Sequence, residues 1–424
     1  MTSIGKVVPI VGVIQNYAWG KKGTESEVAK LYKGSIPSFN IQPGSPYAEL
    51  WFGTHPKGPS KLLENSELLT SWLSKNLQQA SCNHSNELPF LLKVLSVDTA
   101  LSIQIHPNKL EAGELHKWNP REYPDSNHKP EMAIALTSFE ALCGFRPLQE
   151  IEHYFCDLDE LKILTKLVTD SAHHVTTAGK IFQTELDFKN SFVSLMNCDA
   201  GIVKEQAASL NGRISKNNEM KSDPNHALFL RLHCQYPGDV GCFCVYFLNY
   251  VTLKPGEALF LQSNLPHAYI HGDCIECMAN SDNVVRAGLT PKFRDVDTLC
   301  RLVKYENRQI RDVLFDSLAK DFKKYTMPAT STSSILLVTK GQAKLYCINK
   351  SNEDNDDNNG GRNSAGTNSL KSDTKPDRND HRWKKIDIKT GLNKENGNGV
   401  LRNAPSEQKG NKAKNDSAKP GELN

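Results

Sequence analysis

Long apolar runs are missing from this 424-residue chain. The candidate nearest the start, "KVVPIVGVI", contains a proline and follows no basic region. It is too short to cross a bilayer and unlike a signal peptide, and no other stretch approaches membrane length. A surplus of one charge is missing too, since 51 Lys/Arg face 48 Asp/Glu for a net +3. The segment 351–424 holds fourteen Lys/Arg and twelve Asp/Glu, or +2, which leaves +1 for the rest. That excludes a global basic footprint for nucleic acid. No second CxxC accompanies "CIEC" at 274–277, which argues against a zinc finger; on a strand Cys274 and Cys277 would face opposite sides. A glycine-rich phosphate loop and a repeat period are absent as well. The eleven cysteines sit in apolar settings such as "GCFCVYFL" and "EALCGF". Without a secretion signal, this predicts reduced core thiols and a cytoplasmic protein.

What is present falls into blocks. Residues 1–150 are strand-like with turn punctuation: "VVPIVGVIQNYAWG", "AELWFGTHPKG", "FLLKVLSV", "LSIQIHP", "EMAIALT", "EALCGF". Over 151–236 the apolar spacing changes to three and four, as in "LQEIEHYFCDLDELKILTKLV", and predicts helices. Strands resume over 237–305 with "CFCVYFLNYVTLKPGEALFL" and "DCIECMA", followed by a short helix at "DVDTLCRLVKYE". In 306–350, "SSILLVTKGQAKLYCINK" reads as a strand pair with a turn at Lys340-Gly341. From Ser351 the composition is rich in Asn, Asp, Gly, Ser and Lys and predicts a disordered tail, in which Trp383 is the only aromatic residue. The fold class expected is mainly β with an α insertion, an antiparallel barrel or jelly roll interrupted by helices.

Chemistry-bearing residues cluster at strand ends. In "LSIQIHPNK" (101–109) Ile103 and Ile105 point one way, and Ser102, Gln104 and His106 the other. A half-buried surface strand would give the same alternation. "NHKPEMAIAL" puts Lys129 and Glu131 on one face, "LQSNLPHAYIHGD" does so for His267, Tyr269 and His271, and "CMANSDNVVRAGLTPKF" carries Asp282, Arg286 and Lys292. If these polar faces point into a small barrel, Gln104, His106, Glu131 and His267 converge on one point. Two imidazoles favour Zn²⁺ there, although nickel, cobalt or iron would also accept them. One carboxylate leaves a bound divalent ion with a residual charge of +1, which suits stabilising an oxyanion.

Taken together, "QNYAWG", "AELWFGTHP", "LPFLLKVLSV", "LSIQIHPNK", "YPDSNHKPEMAIAL", "LCGFRP", "YPGDVGCF", "LKPGEALFL", "PHAYIHGDCIECMANSDNVVRAGLTPKF" and "DVDTLC" strongly resemble the type I phosphomannose isomerases, from about residue 10 to 305. The resemblance implies a cupin-type jelly-roll catalytic domain bearing a helical domain. It also implies one Zn²⁺ per chain and interconversion of mannose 6-phosphate and fructose 6-phosphate, a step that feeds GDP-mannose synthesis. Gln104, His106, Glu131 and His267 match the family's zinc ligands, and Arg286 its catalytic arginine. Trp19, Lys93, Ser102, Lys129, Tyr269, Glu276, Asp282 and Lys292 match polar or aromatic positions around its sugar-phosphate pocket.

Isomerisation through a cis-enediol needs a general base to carry a proton from C2 to C1. Glu276 is the first candidate, with Lys129, a zinc-bound water or His271 as alternatives. Arg286 supplies fixed positive charge to the enediolate. Lys93, Lys292 and Ser102 are the candidates for phosphate. The expected partner is a small sugar phosphate and the expected state a monomer, with neither nucleic acid nor membrane. The family usually continues into a second complete jelly roll, whereas 306–350 looks like a truncated C-terminal β domain. Two other readings stand beside this one: a non-catalytic sugar-phosphate-binding cupin, and another metal-dependent cupin enzyme. Against the second, Gln104 takes a place where the common cupin pattern has histidine.

Overall fold

The computed structural model describes residues 8–76, 87–166, 181–182, 184–315, and 334, 335 and 337, together with the backbone of strands Ala343–Ile348 and Trp383–Ile388. Two antiparallel sheets face each other, and a single strand, His267–Ala279, belongs to both. Its C-terminal half pairs with Phe90–Val97 on one side and Glu131–Ala135 on the other. Glu49–Phe52 and Ala258–Leu261 extend that sheet in the two directions. Its N-terminal half pairs with Phe139–Phe145 and, at His267, with Gln104 of strand Ile103–Ile105. Val285–Gly288 pairs with Ile103–Ile105, and Leu248–Leu253 with Phe139–Phe145. This is the jelly-roll arrangement expected of the chain.

The crossover between sheets rests on one glycine. Gly272 has φ +114°, and a Cβ there would lie 2.4 Å from the Ser138 carbonyl oxygen and 2.8 Å from Phe139 Cα. Only a residue without a side chain fits both conditions.

Between the sheets, Leu95, Val97, Ala133, Phe139, Ala141, Cys143, Val251, Leu259 and Cys274 form one buried cluster. A second cluster joins the helical insertion to the barrel: Phe188, Phe192 and Phe229 share it with Phe145, Phe247, Ile103 and Ile105. The alternation in "LSIQIHPNK" is thereby explained. Both isoleucines pack toward the helices, which turns Ser102, Gln104 and His106 to the barrel interior. The insertion runs from Leu148–Asp157 to Pro224–Gln235, and side chains of Thr184, Asp199, Asn217 and Asp223 cap its helices.

Three sequence expectations need correction. Residues 1–150 are not all strand. Glu27–Ser35, Leu69–Lys75 and Lys109–Trp118 are helices, the first capped by Ser26 and the last by a capping box of Asn108 and Glu111. Val240–Tyr246, expected to open a strand, is a fully buried 3-10 helix, and the strand starts at Leu248. An apolar run with no alternation does not by itself distinguish the two. Ala343–Ile348 pairs with Trp383–Ile388, with Ala343 opposite Ile388 and Ile348 opposite Trp383, while the partner strand and turn expected over 335–342 lie mostly outside the described residues. The same pairing corrects the expectation of disorder at 383–388, where the β-prone "WKKIDI" interrupts a polar segment. Most of 316–350 and the rest of 351–424 lie outside the described residues.

Substituting Gly272→Ala forces a clash and a disfavoured backbone together. Its expected cost is at least about 2 kcal/mol, to be read as a lowered midpoint in denaturant unfolding.

Candidate active site

Two rungs of the barrel carry the polar side chains. On one sheet Arg286, Gln104, His267 and Cys143 stand in adjacent register across four strands. On the other, Trp51, Lys93, Glu276 and Ala133 do the same. Cross-strand neighbours project to one face, so each rung presents its side chains as a row.

Three donors meet at the centre. One coordinating atom each from His106, Glu131 and His267 lies within 4.8 Å of the others, and all three residues are buried. His106 Nε2 is 3.2 Å and His267 Nε2 3.7 Å from Glu131 Oε2. The Gln104 amide nitrogen lies 3.3 Å from His267 Nε2, and Ser102 Oγ donates to Gln104 Oε1 at 2.9 Å. Both imidazoles are oriented from behind: His106 Nδ1 is 2.9 Å from the Asn283 carbonyl and His267 Nδ1 2.8 Å from the Leu265 carbonyl. A carbonyl only accepts, so each Nδ1 carries the proton and each Nε2 turns a lone pair inward.

This geometry fits a cation. His106 Nε2 and Glu131 Oε2 are buried without a hydrogen-bond partner although they face each other. Lone pairs opposed in a dry interior repel, and a divalent ion between them removes the conflict. The protonation states suit ligation. Burial depresses both imidazoles, His267 to about 4. Burial works against ionising Glu131, but the imidazoles around it and the Lys129 ammonium 3.0 Å away hold its carboxyl well below the usual range.

Around this centre the remaining predicted residues divide. Lys93 Nζ lies 3.3 Å from Glu276 and 3.7 Å from Glu49. Burial alone would discharge it, yet the two carboxylates raise its pKa above the ordinary value. Glu276 is raised by burial and by the charge of Glu131, against the pull of Lys93. Tyr269 is buried beside His267, with ring centroids 6.3 Å apart. Trp19 stacks on Tyr17 at 5.9 Å, and Lys292 Nζ sits 5.9 Å above the Tyr17 ring. Burial and the nearby Arg286 charge lower Lys292, and burial lowers Arg286. Among the described residues, neither of these two cations has an ion-pair partner. Asp282 is engaged elsewhere, with Lys57 at 2.7 Å and His55 at 3.4 Å. Despite burial, these two hold it well below its ordinary value.

His271 is not on the site face. The register shifts between Tyr269 and His271, and His271 lies opposite Glu140, whose carboxylate pairs with Arg231 of the helical insertion. A strict two-residue alternation does not anticipate such a bulge. The reading of "CIEC" holds: Cys274 is buried and Cys277 exposed. Glu49 and Trp51 are site neighbours that the sequence did not single out. They alternate on Glu49–Phe52, the Trp51 indole donates to Glu49, and Lys93 Nζ stands 5.1 Å over the Trp51 ring. The visible signal was a carboxylate two residues from an aromatic in "AELWF".

Metal-free protein should lose stability on acidification. The buried His267 takes up a proton at about pH 4, against an ordinary value of 6.5. The unfolded chain therefore binds the extra proton first, and stability falls as pH drops from 6.5 toward 4. Urea midpoints of chelated protein across that window should show the slope, and His267→Gln should flatten it.

Comparison with known proteins places these observations in a family. A family model of the phosphomannose isomerase type I catalytic domain matches residues 7–148, and the model of that family's helical insertion domain matches 167–248. Mannose-6-phosphate isomerase of Mus musculus is 49% identical over 321 residues, covering 73% of this chain and 76% of the relative. Mannose-6-phosphate isomerase of Bos taurus is 44% identical over 381 residues, covering 79% and 88%. Among solved structures, mannose 6-phosphate isomerase from Salmonella typhimurium bound to its substrate and a zinc atom superposes with TM-score 0.61 at 33% identity, covering 72% of this chain and 76% of that one.

Proposed function

The chain belongs to the type I phosphomannose isomerases, and from that membership and the site together we infer that it is a zinc-dependent isomerase interconverting mannose 6-phosphate and fructose 6-phosphate. The observation that carries this reading is the trio of inward-facing ligand atoms of His106, Glu131 and His267, of which His106 Nε2 and Glu131 Oε2 are left without partners. Gln104 is the proposed fourth ligand, since its amide reaches the same point. When bound, the ion supplies Lewis-acid polarisation of the sugar carbonyl.

The rest of the chemistry falls to the protein's own side chains. Glu276 is the proposed base for the C2 proton: a carboxyl lifted by burial has a basicity closer to the task than an exposed one. Lys93 orients it, being held between Glu276 and Glu49. That commitment to two carboxylates makes Lys93 the weaker phosphate ligand. Lys292 and Ser102 are the proposed phosphate contacts, and Arg286 sets fixed positive charge beside Gln104, where the enediolate oxygens develop. Lys129 holds Glu131 ionised, while Tyr269 and Trp19 wall the sugar. Asp282 is assigned here to binding the loop through His55 and Lys57, instead of to the sugar directly. We further propose a cytoplasmic monomer acting on this small molecule without nucleic-acid or membrane partners, in line with the near-neutral charge and the free cysteines.

Purified protein assayed for fructose 6-phosphate formation alongside zinc analysis tests the whole reading. Arg286→Ala should keep its zinc and lose kcat by roughly 100-fold or more, whereas His267→Ala should lose metal and turnover together. A zinc-replete but inactive wild type would favour a sugar-phosphate-binding protein instead. Glu276→Gln should suppress exchange of the C2 proton with solvent while substrate still binds; normal exchange would move the base elsewhere.

A further inference from the structure

The motif "YPGDVGCF" lies where the helical insertion returns to the barrel, and no step above uses it. Its carboxylate touches the segment that carries Arg286 and Lys292. Strand Val285–Gly288 sets Arg286 opposite Gln104. The chain then leaves the sheet and comes back at Asp295, whose N–H donates to the Arg286 carbonyl at 2.8 Å. The arm so closed turns at Leu289, a non-glycine residue with φ +52°. That left-handed conformation costs about 1–2 kcal/mol for a branched side chain unless its surroundings enforce it. Asp239 Oδ1 provides the enforcement, accepting the Leu289 N–H at 2.8 Å and the Gly241 N–H at 2.7 Å.

The fit beneath this turn is backbone on backbone. A Cβ on Gly288 would lie 2.8 Å from Gly241 Cα, and one on Gly241 would lie 2.9 Å from the Leu289 nitrogen. Asp239 Oδ2 also stands 3.6 Å from Arg294 Nη1. Among the described residues, every hydrogen bond or ion pair from 289–294 to the rest of the chain ends on Asp239. Arg286 and Lys292, on this arm, have no ion-pair partner of their own among those residues to hold them.

We propose that Asp239 is a positioning residue for the isomerase reaction: by locking the Leu289 turn, it fixes Arg286 and Lys292 relative to the metal ligands. The inference rests on the roles proposed above for those two cations. Asp239 itself stands where the chain leaves the helical insertion, and its bonds go to the arm and not to the metal ligands.

The test is a mutant cycle on full-length, zinc-loaded protein, assayed on mannose 6-phosphate. Asp239→Ala should lower kcat about 10- to 100-fold, because misplacement near 1 Å has that effect, and raise KM, with zinc content unchanged. Asp239→Asn keeps the accepting oxygen and should retain kcat within about 3-fold. In an Arg286→Ala background, the kcat loss from Asp239→Ala should largely disappear. Should Asp239→Ala fail to fold, Asp239→Glu displaces the same carboxylate by one methylene and should show the same kcat and KM changes. Full activity of the Ala or Glu variant, or additive losses in the cycle, would overturn the proposal. Undiminished activity of Arg286→Ala alone would instead overturn the role given to Arg286.

Discussion

Three lone pairs pointed at one another, on His106, His267 and Glu131, set the constraint under which the barrel is built. Buried acceptors left without a partner cost about 1–3 kcal/mol each, and no described side chain donates to His106 Nε2 or Glu131 Oε2. The conflict is imposed from behind, because the Asn283 and Leu265 carbonyls fix the imidazole tautomers. Moving the proton of either ring to its inward nitrogen would strand a carbonyl instead. The simplest resolution is a cation, so metal affinity and fold stability draw on the same free energy. Zinc binding then does more than add a reagent, since it relieves a site the polypeptide has prepared against its own stability.

The electrostatics around that centre separate two kinds of cation. Lys93 is enclosed by Glu49 and Glu276 and held by Trp51 beneath it. Arg286 is half-buried and Lys292 exposed, both are unpaired among the described residues, and what burial each has depresses it. A charge that is desolvated yet uncompensated attracts an anion more strongly than one already neutralised. Arg286 and Lys292 thus differ from Lys93 in keeping their charge available to an anion. The long strand His267–Ala279 joins the two sheets that carry these groups. It delivers His267 to one sheet and Glu276 to the other, nine residues apart, with Gly272 absorbing the bend.

How much of this could be read from residues alone follows the range of each interaction. The face of Gln104 and His106 was legible because Ile103 and Ile105 alternate with them over one short strand. The Lys129–Glu131 pair was legible for the same reason, and the helical block announced itself by its spacing. Glu49 was hidden because its meaning comes from Lys93, 44 positions away and brought alongside only by register. The ion pairs of Asp282 were equally hidden, since His55 and Lys57 lie more than 220 positions earlier. His271 failed for a local reason: a bulge rotated it out of phase. The family resemblance supplied the ligand set but not these couplings, which are properties of the packed barrel.

A helical insertion is easily regarded as dispensable, yet the packing of this one contradicts that view. Ile103 and Ile105, which orient two site residues, have their apolar faces against Phe145 and the helices, not against the sheet opposite. The 3-10 helix Val240–Tyr246 is buried along its whole length and joins helices to barrel. Arg146 ties them again, donating to the Val245 and Leu248 carbonyls and to Asn225 of helix Pro224–Gln235. Glu140 on the barrel receives Arg231 from that same helix. Removing the insertion would expose the back of strand Ile103–Ile105 and strip a buried guanidinium of its acceptors there. The strand that turns Gln104 and His106 into the barrel is therefore shaped from outside it, and the insertion belongs to the architecture of the site as fully as the sheets do.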